Sequence, residues 1–167
     1  DVLGSRGLGD VYKRQASRAG NAGIVWWAIC LPFLINSNWR ATGANFVFGL
    51  AWAHLMGEII IKHIVKRVRP CHTLDDDEQL IDRPRFYSFP SGHTTASFAM
   101  VGVALMRCKV ITFMPILMLA MLIAFSRIYL RVHYLTDVIA GMILGLTCGI
   151  CSVLIFNTVV PMWFPMV

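Results

Sequence analysis

Pro90-Ser91-Gly92-His93-Thr94-Thr95-Ala96-Ser97-Phe98-Ala99-Met100-Val101-Gly102-Val103-Ala104-Leu105-Met106 is a polar turn that runs straight into a run of small and apolar side chains. Ser91 has the residue type of a helix N-cap, or its hydroxyl can donate to a bound anion. Gly92 lets the backbone approach an anion closely, and a helix opening there offers free N–H groups and a positive dipole end. His93, in the first turn, is placed to protonate a departing oxygen. Thr95, Ala96, Ser97, Ala99, Gly102 and Ala104 allow neighbouring helices to come close. The stretch therefore predicts a short, central, protein-buried helix with an anion-binding end. Alone, the turn also reads as a cap beside a solvent-facing histidine, so the decision rests on its company.

Two more polar clusters stand at the ends of apolar segments. Lys62 and Arg69 are seven positions apart, two helical turns, and share a face if the helix continues to Pro70. Ser126-Arg127 is followed by His133 and Asp137, which are four apart and so neighbours on one helical face. Lys62, Arg69 and Arg127 can neutralise the oxygens of a phosphoryl group, arginine through a two-pronged fork and lysine as a point charge. A carboxylate accepting from one imidazole nitrogen fixes the tautomer and leaves the other nitrogen free to attack phosphorus. Singly, each cluster has a plainer meaning. Lys62 and Arg69 could be anchors snorkelling to lipid headgroups, the role assigned to Lys66 and Arg67, and the His–Asp pair could cap the last helix. Their joint occurrence, in this order, points to moving a phosphoryl group through a histidine.

Composition sets the surroundings. The chain is 57% hydrophobic and only 14% charged, outside the range of an ordinary soluble domain. Five apolar segments can be drawn, at 22–35, 42–65, 93–106, 110–128 and 137–160. The fold class expected is an all-α, multi-pass transmembrane helix bundle with about five membrane helices. The first and third segments are short for a crossing of about 20 residues. Gly141 and Gly145 form a GxxxG pair that implies a close helix contact. Because Arg107-Cys108-Lys109 makes a short turn, the third and fourth helices run up and down, which brings all three clusters to one membrane face. Polar groups near lipid are costly, so such a gathering marks a functional site.

Other features narrow the reading further. The net charge of +6 gathers at helix ends and in one loop without a nucleic-acid module, which favours a smaller phosphate-bearing ligand and no nucleic acid. The five cysteines form no disulfide framework, and Cys148 and Cys151 read as helix packing despite their CxxC spacing. Asp75-Asp76-Asp77-Glu78 reads as a solvated loop rather than a metal site, and His54 and His63 as packing or interfacial residues. Arg83 and Arg85 could steer an anionic headgroup. Residues 1–15 lack an initiator Met and carry Gly4, Gly7 and Gly9. They are expected to be a non-native or truncated leader, with residues 20–160 forming the membrane domain.

Lys62-x6-Arg69-Pro70, Pro90-Ser91-Gly92-His93 and Ser126-Arg127-x5-His133-x3-Asp137 together resemble the three-part signature of the type 2 phosphatidic acid phosphatase superfamily. That superfamily includes lipid phosphate phosphatases, undecaprenyl diphosphate phosphatases, glucose-6-phosphatase and vanadium haloperoxidases. Every signature position is filled, and the similarity extends over about 20–156. The resemblance implies an all-helical membrane enzyme with no metal and no cofactor. It implies His133 as the nucleophile, Asp137 as its orienting partner and His93 as the acid for the leaving group. Lys62, Arg69, Arg127, Ser91 and the Gly92 backbone would bind phosphate. The expected substrate is a lipid phosphate or diphosphate: undecaprenyl diphosphate, phosphatidylglycerophosphate or phosphatidate, in that order. Transfer to an alcohol, or phospholipid binding without turnover, are the alternatives. The positive-inside count alone puts the clusters in the cytoplasm. Bacterial members of the family imply a plasma-membrane protein whose site opens to the extracytoplasmic side, and that orientation is adopted because several of the cations are committed to a ligand.

Overall fold

The computed structural model describes residues 22–70 and 87–163, and among these all regular structure is helical. The leader, Cys71, His72, the acidic run 75–78, Arg83 and Arg85 lie outside the described residues. Helix α1 spans Ala22–Ile35 and leads through a 3-10 turn, Ser37–Trp39, into α2. Helix α2 is continuous but of three parts: Arg40–His54, a wider π-helical stretch Leu55–Ile61, and Lys62–Val65. Helices α3 (Gly92–Arg107), α4 (Val110–Tyr129) and α5 (Leu135–Trp163) complete the bundle.

Five helices thus stand where the five apolar segments were drawn. Three stretches, Ser37–Val65, Val110–Tyr129 and Leu135–Val159, are long and apolar enough to cross a membrane, and Gly23–Ile35 is a shorter apolar helix. Helix α3 has 16 residues, and all but one of the positions from Thr94 to Ala104 are buried. The other helices enclose it. Its small and hydroxyl side chains suit protein contact rather than lipid. Large apolar side chains on α4, among them Ile111, Met118, Leu122 and Phe125, face outward.

One expectation is corrected. Helix α2 does not continue to Pro70 but stops at Val65, where Lys66 turns into the left-handed region at φ 50° and its N–H bonds the Lys62 carbonyl. Lys62 and Arg69 therefore do not share a helical face. Arg69 arrives on a non-helical segment that follows the turn.

The tightest packing is between α3 and α5. Gly141, Gly145 and Gly149 form a strip along α5 that backs onto α3. A Cβ at Gly145 would overlap the Thr95 carbonyl, and one at Gly149 the Ala99 carbonyl. From the other side, a Cβ at Gly102 would lie 2.7 Å from the Leu146 carbonyl. The GxxxG pair read from the sequence is therefore the upper part of a longer backbone-to-backbone seam. On the far side of α3, Trp26 Nε1 of α1 donates to Ser97 Oγ at 3.0 Å within the core. Trp26, Phe46, Met100, Val103, Val138 and Val153 fill the rest. The four cysteines among the described residues are free thiols, and His54 and His63 are exposed.

Because the seam leaves no room for a methyl group, Gly145→Ala is expected to cost about 1–3 kcal/mol, the usual range for overpacking. Thermal unfolding in detergent measures it as a lowered midpoint. Gly23→Ala, whose Cβ meets nothing within 4 Å, leaves the midpoint where it is.

Candidate active site

The seam fixes where the polar clusters meet. At its polar end the Ser91 N–H donates to the Asp137 carbonyl at 3.1 Å, joining the turn before α3 to the first turns of α5. Ser91 occupies the N-cap position without a side-chain cap bond. Its hydroxyl accepts from Thr94 Oγ1 at 2.9 Å, and its carbonyl accepts from the Thr95 N–H and hydroxyl. The Ser91 hydroxyl proton is left to donate elsewhere.

His133 sits in the short connection between α4 and α5 and is buried. Nδ1 lies 2.7 Å from the Ser88 carbonyl. A carbonyl only accepts, so Nδ1 carries the proton. Nε2 then keeps its lone pair and accepts from Arg69 Nη1 at 3.1 Å. Arg69 Nη1 also donates to the Val132 carbonyl at 3.2 Å. Asp137 Oδ2 is 3.7 Å from Nδ1, beyond hydrogen-bonding distance, and acts on the ring as a charge. The tautomer is thus held by a backbone carbonyl. Burial pushes the His133 pKa below the ordinary imidazole value; the charge of Arg69 adds to this, while Asp137 and the Ser88 carbonyl oppose it. The ring is neutral near pH 7.

Asp137 is fully buried and its two oxygens are divided. Oδ2 accepts from the Tyr134 N–H at 3.0 Å, and Oδ1 accepts from Arg67 Nη1 at 2.7 Å. Arg67 also donates to Thr136 Oγ1 at 2.7 Å and lies over the Tyr134 ring, 4.0 Å from its centre. The assignment of Arg67 to a headgroup anchor is corrected accordingly: it is tied to the buried carboxylate. A planar, permanently charged guanidinium that bonds a carboxylate and sits over an aromatic ring suits arginine better than lysine.

Lys62 is buried and bonds both oxygens of Glu58, at 2.8 and 2.7 Å. Glu58 in turn lies against Gly92 at the start of α3. Arg127 donates from Nε to Ser126 Oγ at 3.1 Å, and its cation is close enough to repel that of Arg69. Two guanidinium groups held near each other favour an anion between them. His93 follows Gly92 in the first turn of α3, partly buried.

Direct contacts therefore bring His133, Asp137, Arg69 and Ser91 together. Glu58 joins Lys62 to Gly92, the repulsion between cations joins Arg127 to Arg69, and His93 is placed by its neighbour Gly92. Sequence reading missed Glu58, Arg67 and the Ser88 carbonyl. For Glu58 a signal existed: a lone acid, four residues before Lys62, inside an apolar segment. Among the described residues, no group of three or more His, Cys, Asp or Glu side chains is arranged to hold a metal ion.

Comparison with known proteins adds an independent line. Residues 42–161 match the model of the PAP2 superfamily. The chain is 33% identical over 135 residues to the undecaprenyl-diphosphatase of Sulfolobus acidocaldarius, covering 80% of this chain and 65% of that protein. It is 37% identical over 126 residues to the decaprenylphosphoryl-5-phosphoribose phosphatase of Mycobacterium tuberculosis, covering 73% of this chain and 63% of that one. The match thus spans a little under two thirds of these relatives. The fold superposes on the crystal structure of Aquifex aeolicus LpxE with a TM-score of 0.69 at 27% identity, covering 86% of this chain and 84% of the other. With the family model matching most of this chain and a helical bundle of the same fold as a solved relative, this membrane chain belongs to the PAP2 superfamily.

Proposed function

We propose that the protein is an integral membrane phosphatase that hydrolyses a lipid phosphate or diphosphate through a phosphohistidine on His133. One observation carries the reading. The buried ring is held with Nδ1 on a neutral carbonyl and Nε2 turned to a guanidinium. In that state Nε2 is an unprotonated nucleophile next to a cation that can bind phosphate. Lys62, Arg69, Arg127, Ser91 and the Gly92 backbone form the cradle. Nε2 attacks phosphorus, the N–P bond forms, and the bond from phosphorus to the leaving oxygen breaks as His93 gives that oxygen its proton. Positive charge gathers on the ring and is stabilised by the field of Asp137. Water then attacks phosphorus while His93 takes its proton; the new P–O bond forms as the N–P bond breaks, the electron pair returns to Nε2, and inorganic phosphate leaves.

A polyprenyl diphosphate is the favoured substrate, ahead of phosphatidylglycerophosphate and phosphatidate. The relative named undecaprenyl-diphosphatase supports the diphosphate, and the one named for a decaprenylphosphoryl-phosphoribose supports the polyprenyl tail. The residues 20–160 form the membrane phosphatase domain in this reading. The chain resides in the plasma membrane, with the cradle on the extracytoplasmic side.

His133→Ala is expected to lower turnover of a prenyl diphosphate by on the order of 10³-fold or more, and His93→Ala by about 10²–10⁴-fold. Phosphate release from detergent-solubilised protein, with chelator present, measures both. Wild type should also yield an acid-labile phosphoryl adduct that His133→Ala lacks. Turnover near the wild-type rate in His133→Ala rules the mechanism out.

A second expectation concerns pH. Since the folded site depresses the His133 pKa, the neutral nucleophile persists as pH falls. The acid limb of kcat/KM should therefore lie below about 6.5, the ordinary imidazole value. It should fall at the same pH for a monoester and a diphosphate lipid, because it belongs to the enzyme. An acid limb above that value contradicts the arrangement described.

Orientation is tested by substituted cysteines in a background without the native ones. Arg131→Cys, in the exposed turn beside the site, should react with an impermeant maleimide on intact cells. Lys109→Cys, in the exposed turn at the other end of the bundle, should react only after the membrane is opened. The reverse pattern would place the site in the cytoplasm.

A further inference from the structure

Glu58 has no part in the mechanism above, yet it touches two members of the cradle, Lys62 and Gly92. Its carboxylate grips Lys62 through both oxygens, at 2.8 and 2.7 Å. Its Oε1 fills the space that a Cβ on residue 92 would take. The negative group therefore lies at the opening of α3, where free N–H groups and the helix dipole favour an anion. This one side chain bonds the ammonium of Lys62 and lies against the backbone of Gly92, the two groups that would bind phosphate there.

Local backbone geometry delivers it. Glu58 lies within the π-helical stretch Leu55–Ile61, and the Lys62 N–H bonds the Gly57 carbonyl, five residues back. One wide turn resets the register of everything after it, and such turns gather at functional sites. Gly57 meanwhile lies close against Thr95 of α3, holding this part of α2 near the α3 opening. Lys62 is almost completely buried, with 5% of its side chain exposed, but Glu58 keeps 29%. The acid can turn to water while the lysine stays.

We infer that Glu58 is the resident counter-ion of the phosphate cradle, a carboxylate that holds the place of a phosphate oxygen in the empty site and releases Lys62 when phosphate arrives. This rests on the reading of Lys62 and Gly92 as phosphate ligands. An ammonium buried without an anion is costly, so the empty site needs a counter-charge. The same carboxylate then competes with phosphate for Lys62. It weakens the hold on the product and keeps the cradle from filling with inorganic phosphate after each turnover. Glu58 is thus a positioning residue for Lys62 and sets the affinity for the phosphate product.

The test uses the full chain and inorganic phosphate as the probe, with calorimetric binding and competitive inhibition of turnover as paired readouts. Glu58→Gln keeps the shape and removes the charge. It is expected to bind inorganic phosphate about 10-fold more tightly and to lower KM, with kcat reduced as product release slows. Glu58→Asp keeps the charge but shortens the reach, and should tighten phosphate binding by a smaller factor. If Glu58→Gln does not fold, Glu58→Asp decides alone. Phosphate affinity that is unchanged or weaker in a folded variant overturns the inference, as does the absence of phosphate binding in both wild type and variants. Binding needs no turnover, so the two readings fail separately. Tighter phosphate binding in a chain that hydrolyses no lipid phosphate removes the hydrolase reading alone. An active chain whose Glu58 variants bind phosphate as wild type does removes this one alone.

Discussion

The seam between α3 and α5 is the constraint from which the rest follows. In a bilayer, helices gain nothing from hiding apolar surface from lipid, so association must come from close packing and from polar contacts. Glycines 141, 145 and 149 supply the first by letting the backbone of α5 rest on the carbonyls of α3. The second is the bond from the Ser91 N–H to the Asp137 carbonyl at the polar end. Because the glycine strip allows one register only, that bond sets the height of Asp137 relative to the start of α3. His133, four residues earlier, is then set against Ser88, three residues before Ser91. A slip of one helical position along the seam would separate both pairs at once.

Much of this was open to reading. The small side chains from Thr95 to Ala104 gave α3 its central place, because a lipid-facing helix has no need of them. The short turn at Arg107-Cys108-Lys109 brought the chain back to the same face, and the observed contacts between the two ends agree. What could not be read has physical causes. The end of α2 at Val65 depends on a left-handed Lys66, a conformation that lysine residues rarely adopt and that no letter announces. Arg67 looked like an anchor because a cation after an apolar helix usually is one. Its partner is a carboxylate 70 positions away. The carbonyl of Ser88 is backbone, and backbone atoms are the same at every position.

Lys62 illustrates the difference between finding a residue and finding its state. The company of the other two clusters selected it. That it is buried and held by Glu58 follows from the wide turn at Leu55–Ile61 and from the approach of Gly92. Cations that repel each other, as Arg127 and Arg69 do, are costly to an empty site. An intramolecular carboxylate, Glu58, offsets the charge of Lys62, while the nearby Arg67 has its own in Asp137.

The division of labour around His133 follows from the same electrostatics. Under the proposed mechanism the ring must be neutral before attack and cationic after it. A carboxylate bonded directly to Nδ1 would favour the cation in both states, raising the pKa and costing the resting enzyme its lone pair. A neutral carbonyl on Nδ1 fixes the tautomer with a much weaker preference for charge. Asp137 is held back at 3.7 Å by Arg67 and the Tyr134 N–H, so its field is modest while the ring is neutral. Once the N–P bond forms, the ring carries a full positive charge and that field becomes stabilising. An interaction stronger in the transition state than in the ground state is the kind that accelerates a reaction. Arg67, by keeping Asp137 near but not bonded, is what makes the difference possible.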